Sequence, residues 1–275
     1  MGQENKISNN NREFLLSALK SGTRVDGRGI YDYRTLRIEF GETSGTVYTY
    51  LGNTKVLVKI SSQVVRPYVD RPTEGIVQFN TEIATLASPV FDAGKPTQME
   101  VNISRTIEKV FHRNRVVDTE SLCILANRKV WNIRVDVHFL DYDGNMLDAA
   151  CIGIVAALKT FKRPDVTVDG EEAIIHSILD KPPVPLSINY APICVTFGFF
   201  EDGEYMILDP GSLEEQVQTA SLTMALNNQS EVCTINKAGG IPLSLDQVLR
   251  CIKIATAKIE EIHSIINEAV ASQKK

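Results

Sequence analysis

Lys129-Val-Trp-Asn-Ile-Arg-Val-Asp-Val-His-Phe-Leu-Asp141 runs without a break into Tyr142-Asp-Gly-Asn-Met-Leu-Asp-Ala-Ala-Cys-Ile-Gly-Ile-Val-Ala-Ala-Leu-Lys-Thr-Phe161. In the first part Trp131, Ile133, Val135, Val137 and Phe139 alternate with Asn132, Arg134, Asp136 and His138, so one face is apolar and the other polar, as in a half-buried strand. The alternation stops at an acidic turn, and the period changes to that of a helix over 146–161. Ala149, Ala150, Gly153, Ala156 and Ala157 would let that helix lie close to a sheet, and its nearly all-apolar surface marks it as buried. A strand handing over to a buried helix sets the fold class as mixed α/β.

Outward from this unit, 10–20 reads as a short helix with Phe14, Leu15 and Leu19 on one side, followed by the polar turn Arg24–Arg28. Strands are predicted near 34–40, 45–51 and 54–61, the last two joined at Gly52-Asn53. The stretch 64–97 carries Pro67, Pro72, Pro89 and Pro96, and reads as irregular around a short strand near 76–82. A helix fits 98–113, and 120–140 reads as a hairpin. Beyond 161, strands are predicted at 165–168, 173–178, 192–200, 204–208, 219–226 and 231–236, with Asp202-Gly203 and Asn227-Asn228 as turns. The closing helix, about 245–270, starts at a Ser244/Gln247 capping box and carries a seam of Val248, Ile252, Ala255, Ile259, Ile262, Ile266 and Ala269. Strands, helix, strands, helix occurs twice, which indicates two similar halves, a first over 31–190 and a second over 191–275, preceded by an N-terminal helix and arm over 1–30.

Composition narrows the function. The chain of 275 residues is 43% hydrophobic and 23% charged, ordinary for a globular domain, with no apolar run long enough to cross a bilayer. Met1-Gly2 is a weak acylation signal without supporting residues. Five cysteines (Cys123, Cys151, Cys194, Cys233, Cys251) are scattered with no Cys-x-x-Cys pair, which indicates buried thiols in the cytosol or nucleus. A net charge of −5 gives no global attraction to nucleic acid, so RNA contact would need a local basic patch.

Four segments are candidates for chemistry. Asp141, Asp143 and Asp148 at the strand–helix junction could hold Mg²⁺. An EF-hand is excluded because the twelfth position from Asp141 is Ile152. The bland reading, a turn whose Asp or Asn caps the helix, leads on chemistry alone. On the helix 98–113, Arg105, Lys109 and Arg113 recur every four residues beside His112, with Arg115 beyond, as a row that can follow a phosphate backbone; its competitor is a solvated face with Glu108 paired to Arg105. Lys237-Ala-Gly-Gly240 reads as a turn before the last helix, and Leu208–Glu215 as a strand end with Glu214 and Glu215 in solvent. No nucleophile–base arrangement has local support.

Taken in order, Arg24–Arg28, Leu51–Val56, Arg71–Gly75, Asp118–Cys123, Val135–Gly144, Phe161–Val166, Pro183–Ser187, Pro192–Phe197, Leu208–Pro210 and Lys237–Gly240 resemble the RNase PH-like ring subunits of the RNA exosome. The resemblance spans about residues 8–270. It implies two ββαβα-type halves of the ribosomal protein S5 domain 2-like fold. It further implies a hetero-hexameric ring with other RNase PH-like subunits, an S1/KH-domain cap, and single-stranded RNA threading toward an associated hydrolytic 3′–5′ nuclease. Nucleus, nucleolus and cytoplasm are the implied compartments, with no membrane, metal or cofactor.

Active members carry Gly-Gly-Thr-Arg after the junction Asp, and the Arg holds phosphate. Here Asp143 is followed by Gly144-Asn-Met-Leu147, so Leu147 stands at the cation's place. Of two Asp residues six apart, Asp180 stands at the first position and Leu186 at the second. The resemblance therefore implies a degenerate site and a non-catalytic scaffold. In it, Arg105, Lys109, Arg113 and Arg115 become candidates for RNA contact. An active phosphate-dependent 3′–5′ exoribonuclease is the alternative, and an assembly subunit without RNA contact a third reading. The sequence ends at Lys275 soon after the last helix, without the long acidic tail of some relatives, which puts functions tied to such a tail in doubt unless the chain is a truncated piece.

Overall fold

In a computed structural model, the structure describes residues 7–91, 96–169, 172–177 and 180–273. The polar start, residues 1–6, and residue 178 of the strand expected at 173–178 lie outside them. Helix α1 (Asn9–Lys20) leads through an arm into strands β1 (Leu36–Phe40), β2 (Thr46–Leu51), β3 (Thr54–Val65) and β4 (Ile76–Ile83). Helix α2 (Gln98–Ile107) continues as a π-helical turn over Glu108–Arg113 and precedes β5 (Cys123–Leu125), β6 (Lys129–Asp141) and α3 (Met146–Thr160). Short strands β7 (Lys162–Arg163), β8 (Val166–Asp169), β9 (Glu172–Ile175) and β10 (Val184–Pro185) follow. The chain continues with β11 (Ile193–Phe200), β12 (Tyr205–Leu208), α4 (Ser212–Val217), β13 (Ala220–Leu226), β14 (Val232–Gly239) and α5 (Leu245–Gln273).

Two sheets enclose α3. The first has the order β1-β2-β3-β6-β4, with β5 also on β6; only β4 runs parallel to its neighbour. The alternation read in β6 is realised: Trp131, Ile133, Val135, Val137 and Phe139 are buried, and the register sets Val135 opposite Ile60 and Val137 opposite Val58. The second sheet, β12-β11-β13-β14, is antiparallel throughout. Strand β11 is buried at every position: α3, α4 and α5 touch it, and its last residue, Phe200, packs with Leu15, Leu19 and Val217.

Helix α3 touches β2, β3, β11 and α5, which accounts for its nearly all-round burial. Its closeness to the first sheet depends on Gly153, where a Cβ would stand 2.8 Å from Thr49 Oγ1 and 2.9 Å from Val58 Cγ2. Helix α5 lays Cys251, Ala255, Ile259, Ile262, Ile266 and Val270 on the core, so the seam finds its partner inside the fold, turned slightly from the expected set toward Cys251 and Val270. The capping box at its start forms: Ser244 N donates to Gln247 Oε1 at 2.8 Å, and Gln247 N donates to Ser244 Oγ at 3.3 Å.

Four local expectations need correction. Phe14 is 62% exposed while Leu15 and Leu19 are buried, because the small cluster with Phe200, Ile207 and Val217 receives only the latter face of α1. Lys237–Gly239 is not a turn but the end of β14, paired with Ala220–Leu222. Glu214 is not solvated but 6% exposed, and Glu215 is partly buried; α4 turns both inward. The helix expected over 98–113 is α-helical only to Ile107.

Candidate functional site

Where β6 meets α3, the acidic turn is held by its neighbours. Gly144 has φ +82°, and a Cβ there would lie 2.6 Å from the Gly211 carbonyl carbon and the Ser212 nitrogen. The turn thus passes against the loop after β12, at a distance only glycine allows. Asn145, at the helix N-cap, is left-handed (φ 49°) and its side chain makes no cap bond. The expected Asx cap is therefore corrected: the Asn145 amide instead donates to Asp148 Oδ2 at 2.8 Å and to Asp209 Oδ1 at 2.7 Å. The helix start is served by Glu215, whose Oε1 accepts the Asn145 N–H at 2.8 Å. Its Oε2 accepts the Tyr142 hydroxyl, also at 2.8 Å.

Asp148 is fully buried and accepts from Tyr33 Oη (2.7 Å), Asn145 Nδ2 (2.8 Å), Thr196 N (2.9 Å) and Thr196 Oγ1 (2.8 Å). Burial pushes its pKa up to about 7, against the pull of those donors. Asp143 accepts from Ser212 Oγ at 3.0 Å and Asn53 Nδ2 at 3.2 Å. These carboxylates spend their oxygens on protein donors, and among the described residues no cluster of three or more His, Cys, Asp or Glu is arranged to hold a metal.

The segment between α1 and β1, residues 21–35, supplies the opposing charge. Arg34 donates to Asp209 from N (3.0 Å), Nε (2.9 Å) and Nη2 (2.8 Å), and to the Asp143 carbonyl at 2.6 Å. Arg28 Nη1 reaches Asp209 Oδ2 at 2.9 Å. Burial alone would raise the Asp209 pKa, but the Arg34 guanidinium holds it below the usual carboxylate range. Arg24, 3% exposed, pairs with Glu214 through Nε and Nη2 and donates to the Leu208 carbonyl at 2.7 Å. Arg24–Arg28 and Leu208–Pro210, stretches 180 residues apart in sequence, thus form one buried ionic clamp.

Beside the turn, Leu147 lines a cavity of about 480 Å³ together with Met99, Ile103, Tyr142, Thr196 and Glu215. Among the described residues its remaining lining is neutral, and Glu215 is the one charged residue there. Burial raises the Glu215 pKa. Of the positions implied for the degenerate site, Asp143 and Leu147 share the turn. Asp180 lies on the surface beside Lys181, which pairs with Asp165, and Leu186 is 8% exposed in the core; neither lines the cavity. Sequence reading missed Glu215, Asp209 and Tyr142.

The basic row lies elsewhere. Arg105, Lys109, Arg113 and Arg115 are all exposed, and among the described residues none is ion-paired. The expected Glu108–Arg105 pair does not form. The π-helical turn widens the spacing after Ile107, and Arg115 adopts φ 50°. Arg113 and Arg115 border a cavity of about 390 Å³ with Tyr68, Arg71, Phe79 and His112.

The 3′ exoribonuclease family, domain 1, matches residues 32–164, and its domain 2 matches residues 190–258. The chain belongs to this RNase PH family. It is 45% identical over 273 residues to exosome complex component RRP45 of Homo sapiens, covering 99% of this chain and 62% of that protein. It is 44% identical to exosome complex component rrp45 of Schizosaccharomyces pombe, covering 98% of this chain and 93% of that protein. The chain thus spans less than two thirds of the length of the mammalian relatives. A chain of the Archaeoglobus fulgidus exosome with RNA bound to the active site superposes with a TM-score of 0.79 at 29% identity, covering 91% of this chain and 96% of that one.

Proposed function

We propose that this chain is a non-catalytic structural subunit of an RNA exosome ring, supporting 3′–5′ RNA processing by scaffolding the ring and guiding single-stranded RNA through its channel. The observation that carries the non-catalytic reading is the charge of the cavity at the β6–α3 junction. An enzyme that cleaves RNA with phosphate needs a cation to hold the anion. Among the described residues, this cavity presents Leu147 and Glu215 and no Arg, Lys or His. Scaffolding draws on the curated relatives, which are named exosome components. The same reading gives other RNase PH-like subunits as ring neighbours, an S1/KH-domain cap and a hydrolytic 3′–5′ nuclease as further partners, and nucleus, nucleolus and cytoplasm as compartments. It divides the chain into the arm 1–30 and halves over 31–190 and 191–275.

The RNA-guiding part rests on Arg105, Lys109, Arg113 and Arg115, whose charges are exposed and, among the described residues, not ion-paired. Such a row contacts phosphates without reading bases. Incubating the purified chain with RNA and inorganic phosphate tests the first part. No nucleoside diphosphate is expected, and its release by this chain alone would overturn the reading in favour of an active exoribonuclease.

A further inference from the structure

We infer that Cys151 and Cys194 form a redox-sensitive pair, which a peroxide closes to a disulfide that staples the two halves of the chain together. Both residues are fully buried, one on α3 and one on β11, and their sulfurs stand 3.2 Å apart in the reduced fold. They lie 43 positions apart, the first within the domain 1 match (32–164) and the second within the domain 2 match (190–258). The bond would therefore cross from one half to the other. Of the remaining cysteines, Cys251 contacts the Met206 sulfur and Cys233 the Glu231 carbonyl. The staple would form whether or not the β6–α3 junction is catalytic.

The two sulfurs meet because their elements are already tied one step away. Asp148, one helical turn before Cys151, accepts from the Thr196 N–H at 2.9 Å and from the Thr196 hydroxyl at 2.8 Å. Thr196 stands two residues beyond Cys194, on the same face of β11. Two adjacent bridges thus link α3 to β11, and the hydrogen-bonded one fixes the register of the other. A disulfide needs a sulfur separation of about 2.05 Å, so the pair has only about 1.2 Å to close.

The chemistry runs in two steps. A peroxide oxidises one thiol to a sulfenic acid: an S–O bond forms, the O–O bond breaks and water leaves. The second thiol, already in contact, attacks that sulfur; the S–S bond forms, the S–O bond breaks, and the hydroxyl leaves as water with the thiol proton. Each sulfur gives up one electron, and the peroxide takes both. In the resting fold the hydrogen bond with Cys151 and burial hold the Cys194 thiol well above its usual value, so it stays protonated and slow to react. Peroxide, small and uncharged, reaches the pair through transient local opening, and the closed bond then opposes further opening.

The test is mass spectrometry of the full chain after hydrogen peroxide treatment well below its melting temperature, with remaining thiols capped by N-ethylmaleimide in denaturant before digestion. A peptide joining Cys151 to Cys194, lighter than its reduced parts by the two thiol hydrogens and released by dithiothreitol, is expected. Closing a loop of this length is expected to raise the melting temperature by roughly 5–15 °C. Dithiothreitol should reverse that rise, and Cys151→Ala should lack it. If Cys151→Ala does not fold, the dithiothreitol reversal makes the same comparison. Recovery of both Cys151 and Cys194 with the maleimide, after the partly buried Cys123 and Cys233 have been oxidised, would overturn the inference. So would sulfinic or sulfonic acid in place of the link, a link that forms only once the chain has melted, or a link that leaves the melting temperature unchanged.

Discussion

Replacing Asp209 by alanine removes the carboxylate on which the arm is anchored. Its side chain is fully buried and that of Arg34 is 9% exposed, so the substitution strands a guanidinium in the interior next to the Asp143 and Gly144 carbonyls, while Arg28 keeps Asp26 and the Asp32 carbonyl. Breaking a buried ion pair from one side costs about 3–5 kcal/mol, mostly because the remaining charge is left desolvated and unpaired. At roughly 2–4 °C per kcal/mol for a chain of this size, the melting temperature should fall by roughly 6–20 °C. Urea unfolding of wild type, Asp209→Ala, Arg34→Ala and the double variant gives the coupling directly. The double variant should be less destabilised than the sum of the single ones, because removing both charges relieves the stranded one. Hydrogen exchange at Tyr31–Arg34 should quicken in Asp209→Ala, since the arm loses its tie to the loop after β12. A loss below about 1 kcal/mol with additive single effects would refute the claim that this clamp joins the arm to the second half.

Gly144→Ala should cost more than about 3 kcal/mol, because φ of +82° and the 2.6 Å approach to Gly211 and Ser212 leave no room for a Cβ; a thermal melt checks it. Stability should fall as pH rises through about 7. The Asp148 carboxyl has a higher pKa in the fold than its ordinary 3.8, so its contribution is full below that ordinary value and is lost as the folded group ionises. Asp148→Asn should flatten this slope in melts from pH 5 to 8. Asp209 acts in the opposite sense: its depressed pKa gives stability that is lost as pH falls below the ordinary carboxylate range. Reversing Arg105, Lys109 and Arg113 to glutamate should weaken RNA binding by the assembled ring and reduce the magnitude of the salt slope by about 2, given roughly 0.7 per single-strand phosphate contact. Unchanged RNA protection would make the chain an assembly subunit without RNA contact.

The strand–helix junction was legible because both parts obey local periods. Alternation from Trp131 to Phe139 and small residues from Ala149 to Ala157 each imply a face, and the fold uses those faces. The final helix was legible for the same reason, down to the Ser244–Gln247 cap. What was not legible depends on partners far along the chain. Glu214 and Glu215 look like solvent residues because nothing within ten positions explains their burial; the explanation is Arg24, 190 positions away, and the turn at Tyr142–Asn145. Asp209 likewise becomes central only through Arg28 and Arg34. The π-helical turn at Glu108–Arg113 has no periodic signature in so short a segment, so the even four-residue spacing of the basic row did not carry into the structure. At the junction itself, Leu147 was visible as a missing cation, whereas the carboxylate on the other side of the cavity was not.

Whether phosphate is used as a nucleophile at this junction separates a scaffold from an exoribonuclease. The most direct measurement follows nucleoside diphosphate release by ³¹P NMR, with RNA and inorganic phosphate, from the chain alone and from the chain assembled with RNase PH-like ring neighbours. The chain alone should release none, and any release by the assembly should be unchanged by Asp148→Asn. Diphosphate release by the chain alone, or release by the assembly that Asp148→Asn abolishes while the ring stays intact, would contradict it.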